Sequence, residues 1–127
     1  QARVGALTLT SRAVSHGIPA FALRVEAAGR SLVYSGDTAP CAALTSLAEA
    51  CDVLLCEADS AEAADAAEPV HHTPENAGDT ARDARAERLI VTHVARSLTP
   101  ERAVASASAR FGGSVDYAAP GAVFTVG

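Results

Sequence analysis

The sequence contains no Trp, no Met and no Lys, and aromatic residues make up only 4% of its 127 residues. Few large rings mean that any core is built from small side chains, with helices close to a sheet. All of its basic residues are Arg, a compositional bias that carries no functional reading. No apolar run approaches the ~18 residues needed to cross a bilayer, so no membrane partner is expected. Cysteine is scarce as well. Cys41, Cys51 and Cys56 are odd in number and lack the pair spacing of a structural zinc site. They are expected to be reduced thiols, as in a cytoplasmic protein. Basic charge is also short. The net charge is −5, so a broad phosphate-binding face is excluded and any nucleic-acid contact must be local.

Hydrophobic residues supply 49% of the chain, which suits a globular domain, and the length suits one core. Alternating apolar and polar residues predict strands over 6–15 and 20–26, and 31–35 follows after a turn at Gly29. A helix is expected from Pro40 to Ala50, with Pro favourable at its first position. The continuous apolar runs at 52–58 and 88–92 read as buried strands. Residues 59–70, acidic and rich in Ala, read as a loop with one helical turn. Thr73-Pro74-Glu75 and Thr99-Pro100-Glu101 each start a helix, with Thr as the N-cap, reaching Ala86 and Arg110. Strands at 114–118 and 122–126 are expected to close the chain as a hairpin around Pro120-Gly121. Strand–helix alternation in the middle predicts an α/β fold with a mixed sheet.

Three of the four histidines lie between residues 71 and 93. His16 follows the first strand, Asp37 the third and His93 the fifth, while Glu57 ends the fourth and His71 precedes a helix. Ligands gather at the carboxyl ends of strands in open α/β sheets. Each residue alone also has a plain reading: a boundary His, an Asp in a turn, or a solvated loop imidazole, which is the reading for His72. Glu57 resists that treatment, because a carboxylate ending a buried strand needs a partner. Imidazoles and carboxylates together are the usual donors for zinc or a similar divalent ion.

The stretches "VSHGIPAFALRVE", "LVYSGDTAP", "VLLCEA", "HHTPENAG" and "RLIVTHV", in this order, resemble metallo-β-lactamase-fold hydrolases. The likeness is to the branch of ribonuclease Z and related phosphodiesterases, and it runs from about residue 6 to 127. It implies half of an αββα sandwich, with helices packed on one face of a mixed sheet. It also implies two divalent metal ions, by family habit Zn2+, with Mn2+ or Fe compatible with the same donors. On this resemblance His16, Asp37 and His93 are metal ligands, Asp37 bridging both ions. Glu57 and His71 are a catalytic pair, the Glu holding an imidazole that donates a proton to the leaving oxygen.

The family's His-x-His-x-Asp-His motif is absent. Residues 1–127 are therefore expected to be the C-terminal half of such a domain, paired with an N-terminal half or associated as a homo-oligomer. Of the Gly-Tyr-Arg that ribonuclease Z carries after its first histidine only Arg24 is present, and "HVARSLTP" has no Tyr. The implied substrate is thus a phosphodiester, with nucleotides and RNA within the class, and a general phosphodiesterase is favoured over a tRNA nuclease. The alternative is a fold-retaining structural or interaction fragment. A redox or metal module built on the cysteines fails on spacing, because Cys51 and Cys56 sit at opposite ends of one strand.

Overall fold

A computed structural model describes residues 1–62 and 69–127. Its centre is a seven-stranded sheet in the order β1-β2-β3-β4-β5-β6-β7. The strands are β1 (Ala2–Val4), β2 (Leu7–Ala13), β3 (Phe21–Ala27), β4 (Arg30–Tyr34), β5 (Val53–Ala58), β6 (Arg88–Val94) and β7 (Ser114–Tyr117). The first four form an antiparallel meander, and β4 through β7 run parallel. Parallel neighbours need crossover connections, and here three helices supply them. These are α1 (Ala42–Leu47), α2 (Pro74–Asp83) and α3 (Pro100–Phe111).

One face of the sheet makes the core. Val33, Leu54, Cys56, Leu89 and Val91 pack against Leu44, Leu47, Ala77, Ala81 and Ala107 of the helices. Small residues on α2 and α3 bring the two helix backbones close to each other. At Gly78 a Cβ would collide with the carbonyl of Ala107 and lie 2.9 Å from Arg110 Cβ. Both of these helices start as the sequence predicts. Thr73 Oγ1 accepts a hydrogen bond from Asn76 N, and Asn76 Oδ1 accepts one from Thr73 N, a reciprocal capping box. Thr99 caps α3 through Arg102 N.

Three expectations need correction. Residues 6–15 are not the first strand, because β1 precedes them and turns into β2 at Gly5 (φ +58°). The helix expected over 40–50 contracts to six residues, since the chain leaves it at Ala48 and Ala50 is left-handed (φ +50°). Residues 122–126 form no strand. They turn away after Ala119 instead of pairing with β7, and the Phe124 ring stacks under the Arg88 guanidinium at 5.3 Å.

All the parallel strands, and β2 with them, point their carboxyl ends to one edge. Two backbone devices shape that edge. Gly36 is left-handed (φ +61°) and lies so near Phe21 that a Cβ would sit 2.6 Å from its carbonyl oxygen. In the β5–β6 ladder, Glu57 pairs with Thr92 but Ala58 pairs with Val94, so His93 is the extra residue of a bulge. Its φ of +45° is strained for a non-glycine residue. Bulges of this kind re-aim a side chain at a sheet edge.

Candidate metal centre

His16, Asp37, Glu57, His71 and His93 all come to this edge, with Asp59 among them. Asp37, His71 and His93 each offer a ligand atom, and the three atoms lie within 4.8 Å of one another. Three ligands at about 2.1 Å around one tetrahedral ion stand about 3.5 Å apart, so the spacing is close to what a metal needs. The compact trio thus contains His71, where the sequence reading grouped His16 with Asp37 and His93. The His16 ring is next in line, 5.0 Å from that of His71, and the His71 ring is 5.6 Å from that of His93.

Hydrogen bonds fix which nitrogen of two rings faces the cluster. His16 Nδ1 lies 2.8 Å from the Val70 carbonyl. A carbonyl only accepts, so Nδ1 carries a proton and Nε2 is the nitrogen left to face the cluster. His71 Nδ1 donates to Glu57 Oε1 at 2.8 Å, which leaves its Nε2 outward. An imidazole whose far nitrogen donates to a carbonyl or carboxylate is the usual state of a metal-binding histidine. His93 is held from both sides, with Nδ1 3.1 Å from Asp37 Oδ1 and Nε2 3.1 Å from Asp59 Oδ2.

Glu57 is fully buried, as a strand-ending carboxylate in an apolar run suggested, and it has the partners it requires. Its Oε1 also accepts from Thr38 N at 3.0 Å, and its Oε2 accepts from Asp59 N at 2.9 Å. No buried side-chain nitrogen or oxygen among the described residues lacks a hydrogen-bond partner.

Two residues were misjudged in the sequence. Asp59 fell in the acidic stretch read as loop and was given no role, although it follows β5 by one residue, at the edge where Glu57 sits. The central part of that stretch, 63–68, lies outside the described residues. His72 was read as a solvated loop residue and is fully buried. Its Nδ1 lies 2.6 Å from the Thr38 carbonyl and its Nε2 3.1 Å from Thr80 Oγ1. Burial pushes its pKa below the ordinary histidine value.

The cysteines take no part. All three are free, and burial raises the Cys51 thiol to about 11 and pushes Cys56 higher still.

The fold agrees with what is found among known proteins. A family profile described as beta-lactamase superfamily domain matches residues 1–94. The chain is 36% identical over 124 residues to the uncharacterized protein ML1173 of Mycobacterium leprae (strain TN), covering 97% of this chain and 44% of that protein. It is 38% identical over 102 residues to a ribonuclease Z of Myxococcus xanthus (strain DK1622), covering 77% of this chain and 33% of that enzyme. Among solved structures, the metallo-beta-lactamase fold protein YhfI from Bacillus subtilis aligns with a TM-score of 0.85 at 24% identity, over 92% of this chain and 48% of that one. The chain belongs to the beta-lactamase superfamily. It spans less than half the length of each of these relatives, as one seven-stranded mixed sheet with its helices on one face. No helix among the described residues is long and apolar enough to cross a membrane.

Proposed function

We propose that this chain is the C-terminal half of a metal-dependent hydrolase acting on phosphodiesters, and that its sheet edge supplies part of a dinuclear site. The observation that carries the reading is the convergence of Asp37, His71 and His93 ligand atoms within 4.8 Å. Oxygen and imidazole donors of this kind suit Zn2+, with Mn2+ or iron as alternatives. Asp37, His93 and His16 would hold the metal, His16 through the Nε2 that its bond to Val70 leaves free. Bound divalent ions would supply Lewis-acid activation of water and offset charge developing on phosphorus.

The remaining residues manage protons and orientation. Glu57 fixes the His71 ring through Nδ1, so that Nε2 points at the site and can donate a proton to the leaving oxygen. Asp59 orients His93 through its Nε2. The phosphodiester class rests on the likeness to the ribonuclease Z of M. xanthus. The compactness of the trio favours a second reading of one residue, in which His71 is a ligand and Glu57 its carboxylate partner. Metal content separates the two: His71→Ala loses bound ion only if His71 is a ligand.

The direct test is turnover of bis(p-nitrophenyl) phosphate by the full-length protein with added Zn2+ or Mn2+. Metal-dependent hydrolysis supports an enzyme. Its absence with every divalent ion favours the structural or interaction fragment. Residues 1–127 alone are expected to bind zinc weakly, hydrolyse nothing and associate with one another, because one shared carboxylate and two or three imidazoles are too few for two ions.

A further inference from the structure

His72 lies beside the candidate centre yet faces away from it. It is fully buried, and both ring nitrogens are engaged, one with the loop that carries Asp37 and one with helix α2. The Thr38 carbonyl can only accept, so His72 Nδ1 is protonated. Burial favours the neutral ring, which leaves Nε2 to accept from the Thr80 hydroxyl. One imidazole therefore ties α2 to the turn after β4.

Thr38 is the other end of the tie. It is fully buried too. Its N–H donates to Glu57 Oε1 at 3.0 Å, the oxygen that also accepts from His71. Its Oγ1 accepts from Ser15 N at 3.1 Å, and its hydroxyl proton can go to the carbonyl of Ser15 or of Ala39. Thr38 thereby touches the residue before His16, follows Asp37 directly, and meets Glu57 and His72. Three other chain segments converge on it. A fully satisfied buried network of this kind fixes a single arrangement of its members.

We propose that His72 and Thr38 are positioning residues: a buried brace that sets the spacing of His16, Asp37 and the Glu57–His71 pair. The metal half of this idea rests on the function proposed above; the geometric half does not. In the brace, the bond from His72 Nδ1 to Thr38 O is the one that matters for the site, and the bond from Nε2 to Thr80 anchors it.

The two nitrogens can be separated by substitution. His72→Asn keeps a donor near the Nδ1 position and can still reach Thr38 O. His72→Gln places its amide near the Nε2 position and serves the Thr80 side only. Both would be made in the full-length protein and compared with wild type. The first readout is the imidazole 15N spectrum of the metal-free protein, in which the hydrogen-bonded His71 Nδ1–H should persist in His72→Asn and be lost in His72→Gln. The second is Co2+ affinity and its visible spectrum. His72→Gln should bind about tenfold more weakly, the loss typical of removing support behind metal ligands, with His72→Asn near wild type.

Equal behaviour of the two variants in both readouts, whether equally normal or falling only with melting temperature, overturns the brace. So does failure of both to fold, which would make His72 a folding residue instead. If wild type binds no Co2+, the metal centre fails as a reading, and the 15N comparison alone decides the brace.

Discussion

Glu57, with no exposed surface, accepts a hydrogen bond from His71 Nδ1 at 2.8 Å. A buried carboxylate left without such a partner would be costly, and this one has three donors. The pairing separates roles that one sequence stretch could not. In the full-length protein, Glu57→Ala should cut turnover of bis(p-nitrophenyl) phosphate about a hundredfold, as loss of positioned acid catalysis does, with metal content near normal. Asp37→Ala should abolish turnover and lower metal content together. Measured by metal analysis after dialysis, equal metal loss in both variants contradicts this division.

Asp59 provides the next test. It stands 3.1 Å from His93 Nε2 and 3.8 Å from His71 Nε2. Held at Nε2, the His93 ring turns its Nδ1 toward Asp37 and the site. Asp59→Asn is expected to weaken Zn2+ binding about 10- to 100-fold. Competition with a chromogenic chelator reads it directly, and an unchanged affinity would remove Asp59 from the site.

Gly78 tests the packing of α2 on α3. Replacing an interior helix glycine by Ala normally stabilises by about 1 kcal/mol. Here the new Cβ would meet the Ala107 carbonyl and stand 2.9 Å from Arg110 Cβ. Overpacking costs about 1–3 kcal/mol, so the clash wins and Gly78→Ala should lower the denaturation midpoint. A raised midpoint would mean that the helices stand further apart than described.

At the opposite end of the sheet, Asp52 accepts from Arg30 Nη1, Ser31 N and Ser31 Oγ. The Arg30 hydrogen bond is the main reason that its pKa falls from 3.8 to about 2. A carboxylate depressed in the folded state adds stability above its unfolded pKa. That contribution is lost as pH drops from 3.8 to about 2. Asp52→Asn should therefore show a shallower loss of stability across this acid window than wild type. Parallel curves from urea titrations at several acid pH values would contradict it.

Much of this was legible in the residues themselves. Apolar runs marked β5 and β6, Thr-Pro-Glu marked both long helices, and polar residues after strands marked the edge where Asp37, His71 and His93 meet. The failures have physical causes. Residues 122–126 have strand-like composition, but Phe124 finds Arg88 and no ladder forms. His72 looked solvated because a sequence does not show that Thr38 and Thr80 converge on it. Asp59 was hidden among other acidic residues, since its approach to His93 comes with a bulge that no local pattern announces. His71 joined Asp37 and His93 more closely than His16 did, and linear order carries no information on that ranking.

Crystals of the full-length protein grown with Zn2+, with anomalous difference maps collected at the zinc edge, test the central claim most directly. Two peaks are expected at this sheet edge, with the Asp37 carboxylate between them and imidazole nitrogens of His93 and His16 within bonding distance of about 2.1 Å. Zinc bound elsewhere, or none in contact with Asp37 and His93, would contradict the account.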